Sequence, residues 1–209
     1  MGNYRIVFCI AFLNIWSLSV SFGQPWNLVK DKDGIRIYTR IEASNSLKSF
    51  KGETVFHAST EKVCLLLGND MNDDWWDKNV IEKKVLAYQE NKFIEHYMIY
   101  SMPWPLTNRD IVAVTIMATD PVTGDKTFTA DPLLNTVPEN PNLVRISRYH
   151  QKWTIQSLGK GDVCVILEGF IDPSGNIPDW VYNMIVPETP FKAIRLLRER
   201  VLSNIPAKY

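Results

Sequence analysis

The chain has little of what catalytic and metal sites are made of. Its 209 residues include three histidines, His57, His96 and His150, and three cysteines, with no CxxC spacing. Zinc sites need clustered Cys and His ligands, so no metal centre is expected, and nothing asks for a cofactor. The GxSxG nucleophile elbow is absent. His96 alternates with Glu95 in a strand-like run, which sends the two side chains to opposite faces. No local acid–base couple of the Ser-His-Asp kind follows, and the chain is read as no enzyme. Excess charge is lacking too: 23 Lys and Arg balance 23 Asp and Glu. That removes the basic stripe nucleic acid requires and the polybasic cluster of a membrane anchor. Internal repeats and low-complexity linkers are also absent. What is there is apolar: a 45% hydrophobic content supports one sizeable core, and the length is short for two large domains.

The first residues read as a targeting segment. Arg5 precedes an apolar run from Ile6 to Leu18, and Ser21 and Gly23 place small residues three and one before Gln24. This is the order of a secretory signal peptide. The run is short for a bilayer span of about 20 residues and contains Asn14. The expected division is a signal peptide at 1–23 and one domain at 24–209, exported to a periplasmic or extracellular compartment. Cys64 and Cys164 then remain. One disulfide is open to them in an oxidising compartment, and so are two buried free thiols, since both sit in apolar segments.

Within the domain, Lys32-Asp33-Gly34 predicts a tight turn. Strands are predicted at Ile35–Thr39, Ser49–Phe56, Lys84–Gln89, Phe93–Met102, Asp110–Ala118, Lys126–Ala130, Asn142–Gln156 and Asp162–Ile171, several with period-two alternation. Ser59 predicts the cap of a helix over Thr60–Leu67. Asp172-Pro173-Ser174-Gly175 predicts a turn before the longest helical pattern, Pro178 to about Asn204. One helix, mostly antiparallel strands and a long C-terminal helix make an α+β domain.

Several segments, taken in order, resemble the START (steroidogenic acute regulatory protein-related lipid transfer) family. They are Trp26 to Tyr38, Trp76-Asp77, Pro103-Trp104-Pro105-Leu106 with Asn108-Arg109-Asp110, Val144-Arg145, Trp153, and Asp172 to Pro178. The resemblance implies a helix-grip fold: a curved antiparallel sheet around a long C-terminal helix, with an internal tunnel for a lipid. It also implies a helix leading into the first strand at Trp26, and binding or transfer without chemistry; the alternative is an enzyme, a cyclase or hydrolase, on the same helix-grip fold. Sterol-binding members carry a tunnel acid and arginine. Here those positions fall near Tyr97 and on Thr115, so that ion pair is absent.

Side-chain faces then nominate a site. Thr115 turned inward takes Ala113 and Met117 with it, along with Ile111, and the same alignment turns Tyr97 and Ile99 inward. On the last helix, Val186, Pro190, Ala193 and Leu197 share a face at helical spacing. These nine (Ile111 apart) are the expected ligand-binding residues, with Thr115 opposite the stretch containing Ala193. The alternative is an ordinary core, although small residues facing one another leave space that cores avoid. Arg109 and Asp110 either meet a ligand head group or tie the start of a strand to a neighbouring loop. Pro187 and Pro190 offer a hinge. Arg195, Arg198 and Arg200 read as a solvated face. Trp75 and Trp76 suggest core anchors or a transient membrane contact. The expected partner is a lipid or other hydrophobic small molecule, bound by a monomer.

Overall fold

The computed structural model describes residues 25–41, 47–68 and 79–203. The signal segment and Trp75-Trp76 lie outside the described residues. The elements are β1 (Asn27–Lys32), β2 (Ile35–Ile41), β3 (Lys48–His57), α1 (Thr60–Gly68), β4 (Val80–Gln89), β5 (Phe93–Tyr100), β6 (Arg109–Thr119), β7 (Lys126–Pro132), β8 (Val144–Arg145), β9 (Tyr149–Gly159), β10 (Asp162–Ile171), α2 (Asp179–Ile185) and α3 (Glu188–Leu202).

Asp33 and Gly34 both have positive φ, 55° and 71°. A two-residue turn of that kind matches the twist of a hairpin, and it folds Asn27–Lys32 back onto β2, Lys32 opposite Ile35. The helix that the family resemblance implied at Trp26 is therefore replaced by strand β1. At α1 the predicted cap is present: Ser59 Oγ accepts from the Lys62 amide at 3.2 Å. The strands form one sheet in the order β1-β2-β3-β10-β9-β7-β6-β5-β4, with β8 beside the start of β6. Pairing is antiparallel throughout except β6 with β8. The run predicted as one strand at 142–156 divides because it changes partner: Val144-Arg145 pairs with β6, and Tyr149 onward pairs with β10. Among the described residues, β1 and β4 are the open edges.

The long C-terminal pattern also divides, into α2 and α3. Pro187, at the junction, has no N–H for the Asn183 carbonyl four residues earlier. Pro190 sits in the first turn of α3, where a missing N–H is tolerated, so the junction falls at Pro187. α3 packs on β2, β3, β10 and α1. Its approach is closest at Gly52, where a Cβ would stand 2.5 Å from Ile194 Cδ1 and 2.9 Å from Ile37 Cδ1. The main core gathers Ile35, Ile37, Phe50, Val165, Ile194 and Leu197, among others. Arg198 departs from the solvated face expected of it, donating to the Asp33 carbonyl at 2.6 Å and so fastening α3 to the first hairpin. Helix-grip is the architecture: a curved antiparallel sheet with a helix along one face.

Candidate functional site

Directly paired residues of antiparallel strands share a face, so register traces the face under α3 across the sheet. From Ile37 and Gly52 it runs through Leu167, Trp153 and Phe128 to Met117. On β6 this inner face carries Met117, Thr115, Ala113, Ile111 and Arg109. On β5 their partners are Ile94 opposite Thr115, His96 opposite Ala113, Met98 opposite Ile111 and Tyr100 opposite Arg109.

Ala113, Thr115 and Met117 therefore lie on the inner face, as expected. Tyr97 and Ile99 do not. They pair with Val112 and Asp110 and point to the other side. The alignment was one residue out on β5, and in a strand an offset of one moves every side chain to the opposite face. On that outer side, burial first and the Asp110 carboxylate second push the Tyr97 hydroxyl above its usual range. Val186, Pro190, Ala193 and Leu197 are all buried, and three of them belong to the main core. α3, which carries Ala193, packs chiefly on β2, β3, β10 and α1, and β6, which carries Thr115, lies three strands beyond β10 in the sheet.

Register also brings together residues that sequence reasoning left out. One inner row runs Ile94, Thr115, Ala130, Gln151, Gly169, and three of its five side chains are small. It runs between the main core and a second apolar cluster of Ile111, Ala113 and Ile146, packed by Met98, Tyr100, Tyr149 and Ile171, with Ile171 touching both. Polar groups lie along it. The Tyr149 hydroxyl donates to Gln151 Oε1, and burial holds that phenol well above its ordinary range. His96 is 6% exposed and its Nδ1 has no hydrogen-bond partner among the described residues. Burial, with the Lys83 charge adding to it, lowers its pKa to about 4. The signal for His96 was present in the Glu95–His96 alternation; the parity that turned it inward was not.

Arg109 and Asp110 both make contacts of the structural kind. Arg109, 3% exposed, donates from Nε to the Pro173 carbonyl and from Nη2 to the Ser174 carbonyl, both at 3.2 Å, and from Nη1 to the Thr107 carbonyl. It thereby joins loop 101–108 to loop 172–178. Asp110, 1% exposed, accepts two bonds from Arg145, at 3.0 and 2.8 Å. Beside loop 172–178 lies a pocket of about 250 Å³, lined by Leu47, Arg148, Asp172, Ser174 and Ile177 among others. Trp104 in the first loop is 93% exposed, and Trp180 and Met184 of α2 are 70% and 66% exposed.

The other histidines pair with carboxylates, His57 with Asp162 at 3.1 Å in an exposed pair and His150 with Asp131 at 2.7 Å in a half-buried one. Cys64 and Cys164 are unbridged, and burial raises both thiols, Cys64 to about 11. Among the described residues no group of three or more His, Cys, Asp or Glu side chains is arranged to hold a metal ion.

Three comparisons bear on this arrangement. The sequence model of the START domain matches residues 18–204. An uncharacterized protein of Pseudomonas aeruginosa is 29% identical over 179 residues, 85% of this chain and 87% of that protein. The phosphatidylcholine transfer protein of Rattus norvegicus is 30% identical over 175 residues, 77% of this chain and 76% of that one. A solved STAR-related lipid transfer protein fragment from Xanthomonas axonopodis superposes with a TM-score of 0.76 at 30% identity, covering 84% of this chain and 98% of that one.

Proposed function

Because the chain belongs to the START domain family, we propose that it holds a lipid against the inner face of its sheet and carries or senses it without chemical change. The observation that carries this reading is the inner row of small and polar residues, Thr115, Ala130, Gln151 and Gly169, set between two apolar clusters. An acyl chain lying along that row meets apolar surface on both sides. Each methylene removed from water contributes about 0.8 kcal/mol, so a sixteen-carbon chain gains on the order of 12 kcal/mol before the costs of binding. Few polar contacts are then required. Entry and exit need a moving part, and the α2–α3 junction at Pro187 is suited to be one.

Thr115→Trp tests the site. In a filled core the added ring costs about 1–3 kcal/mol. In a lipid space it takes the ligand's volume instead. The expected result is a thermal midpoint close to wild type for the delipidated variant, with uptake of a fluorescent fatty acid lost. Strong destabilisation, or unchanged uptake, overturns the placement. Turnover of acyl esters that vanishes in His150→Ala would overturn the non-catalytic part.

The same reading makes this an exported protein of bacterial type. The charged, apolar, small-residue order of the N-terminus supports export, and two of the three relatives above are bacterial. N-terminal sequencing of the exported protein should begin at or near Gln24; a retained Met1 refutes it.

A further inference from the structure

His96 carries a polar atom that the described fold leaves unanswered. The position does not demand polarity: Ile94 and Met98 flank it on the same face, and Ala113 and Val85 stand directly across. Buried polar atoms in folded proteins nearly always have a partner, and Nδ1 has none among the described residues. A second observation concerns bulk. The inner side chains across and diagonal from the ring on β6 include Ala113 and Thr115, and the next strand contributes Ala130. An orphaned nitrogen and short neighbours thus occur together, at the border of the second apolar cluster.

We propose that Nδ1 of His96 is the hydrogen-bond partner of a hydroxyl group on the bound lipid, so that this domain selects neutral, hydroxyl-bearing lipids over those with charged head groups. The inference rests on the lipid-binding reading above. A hydroxyl both donates and accepts, so it satisfies Nδ1 in either tautomer of the ring. A phosphate or carboxylate only accepts, and it would be met best by a charged imidazolium. Burial and the Lys83 ammonium both oppose that charge. Lys83 itself is already engaged. His96 is then a specificity-determining residue and not a base.

The test uses the full exported chain, delipidated, with three probes: a pyrene-labelled long-chain alcohol, the matching pyrene-labelled alkane, and pyrene-labelled phosphatidylcholine. Wild type should bind the alcohol about tenfold more tightly than the alkane, the ratio a single modest hydrogen bond gives. His96→Leu should erase that ratio, chiefly by weakening the alcohol, while His96→Gln should keep part of it. A preference that survives in His96→Leu overturns the proposal and leaves water as the partner of Nδ1. A wild-type preference for phosphatidylcholine over the alcohol overturns it as well. If wild type takes up no probe, the lipid-binding reading fails and this inference falls with it. Should His96→Leu not fold, nitrogen NMR of the wild-type imidazole decides. The Nδ1 resonance of His96 must move with the alcohol and stay put with the alkane, and an unmoved resonance rejects the assignment.

Discussion

His96 stays neutral in the fold across a pH range in which the unfolded chain charges it. Its ordinary value is 6.5, and burial with the Lys83 charge lowers it to about 4. Between those limits the unfolded state holds a proton that the native state refuses, so stability rises with pH through the window and is lost as pH falls. The gap corresponds to on the order of 3 kcal/mol. The expected outcome is that the free-energy difference between wild type and His96→Leu, measured by denaturant titration, shifts toward the variant by that order from pH 7 to pH 4. Parallel pH curves for the two proteins would show that the ring ionises freely in the fold. The comparison with the variant isolates the His96 contribution from that of every other group in the chain.

Elements differ in how plainly the sequence announces them. The turn at Asp33-Gly34, the cap at Ser59 and most strands are legible because each has a local cause. The apolar face of α3 is legible because Lys192, Arg195 and Glu199 mark its other side. β5 is not legible in the same way. Phe93, Ile94, Tyr97, Met98, Ile99 and Tyr100 put apolar groups on both faces, so alternation fixes no parity, and only pairing with β6 shows that His96 turns inward. β1 failed for a related reason: its pairing comes from the hairpin that follows it, not from its own pattern. The Arg109 contacts belong to this scale, since they join two loops. Arg109→Ala leaves the carbonyls of Thr107, Pro173 and Ser174 without their donor. We expect a loss of roughly 2–4 kcal/mol, from buried acceptors left unpaired, with earlier proteolytic cutting in loop 172–178. If Arg109 served a ligand head group instead, the variant would keep its denaturant midpoint and lose uptake.

At the scale of the whole molecule, two exposed tryptophans adjoin in sequence the loops that Arg109 joins. Trp104 precedes β6 and Trp180 opens α2, and indole favours a membrane interface. Among the described residues no helix is long and apolar enough to cross a bilayer. If a carrier meets its membrane through these side chains, Trp104→Ala with Trp180→Ala should lower partition onto neutral vesicles several-fold in a sedimentation assay and leave the thermal midpoint within about 1 °C, as surface substitutions do. Equal partition by the double variant would move the contact elsewhere. The open sheet has a different consequence. Among the described residues the sheet does not close, and its borders at β1 and β4 are the places where a neighbouring chain could add a strand. Both edges carry bulges, between Leu28 and Lys30 and at two places in β4, and both carry lysines, Lys30 and Lys32 on one and Lys83 and Lys84 on the other. Kinked, charged borders of this kind pair poorly with copies of themselves, so a protein built to handle grease is kept from becoming a seed for fibrils.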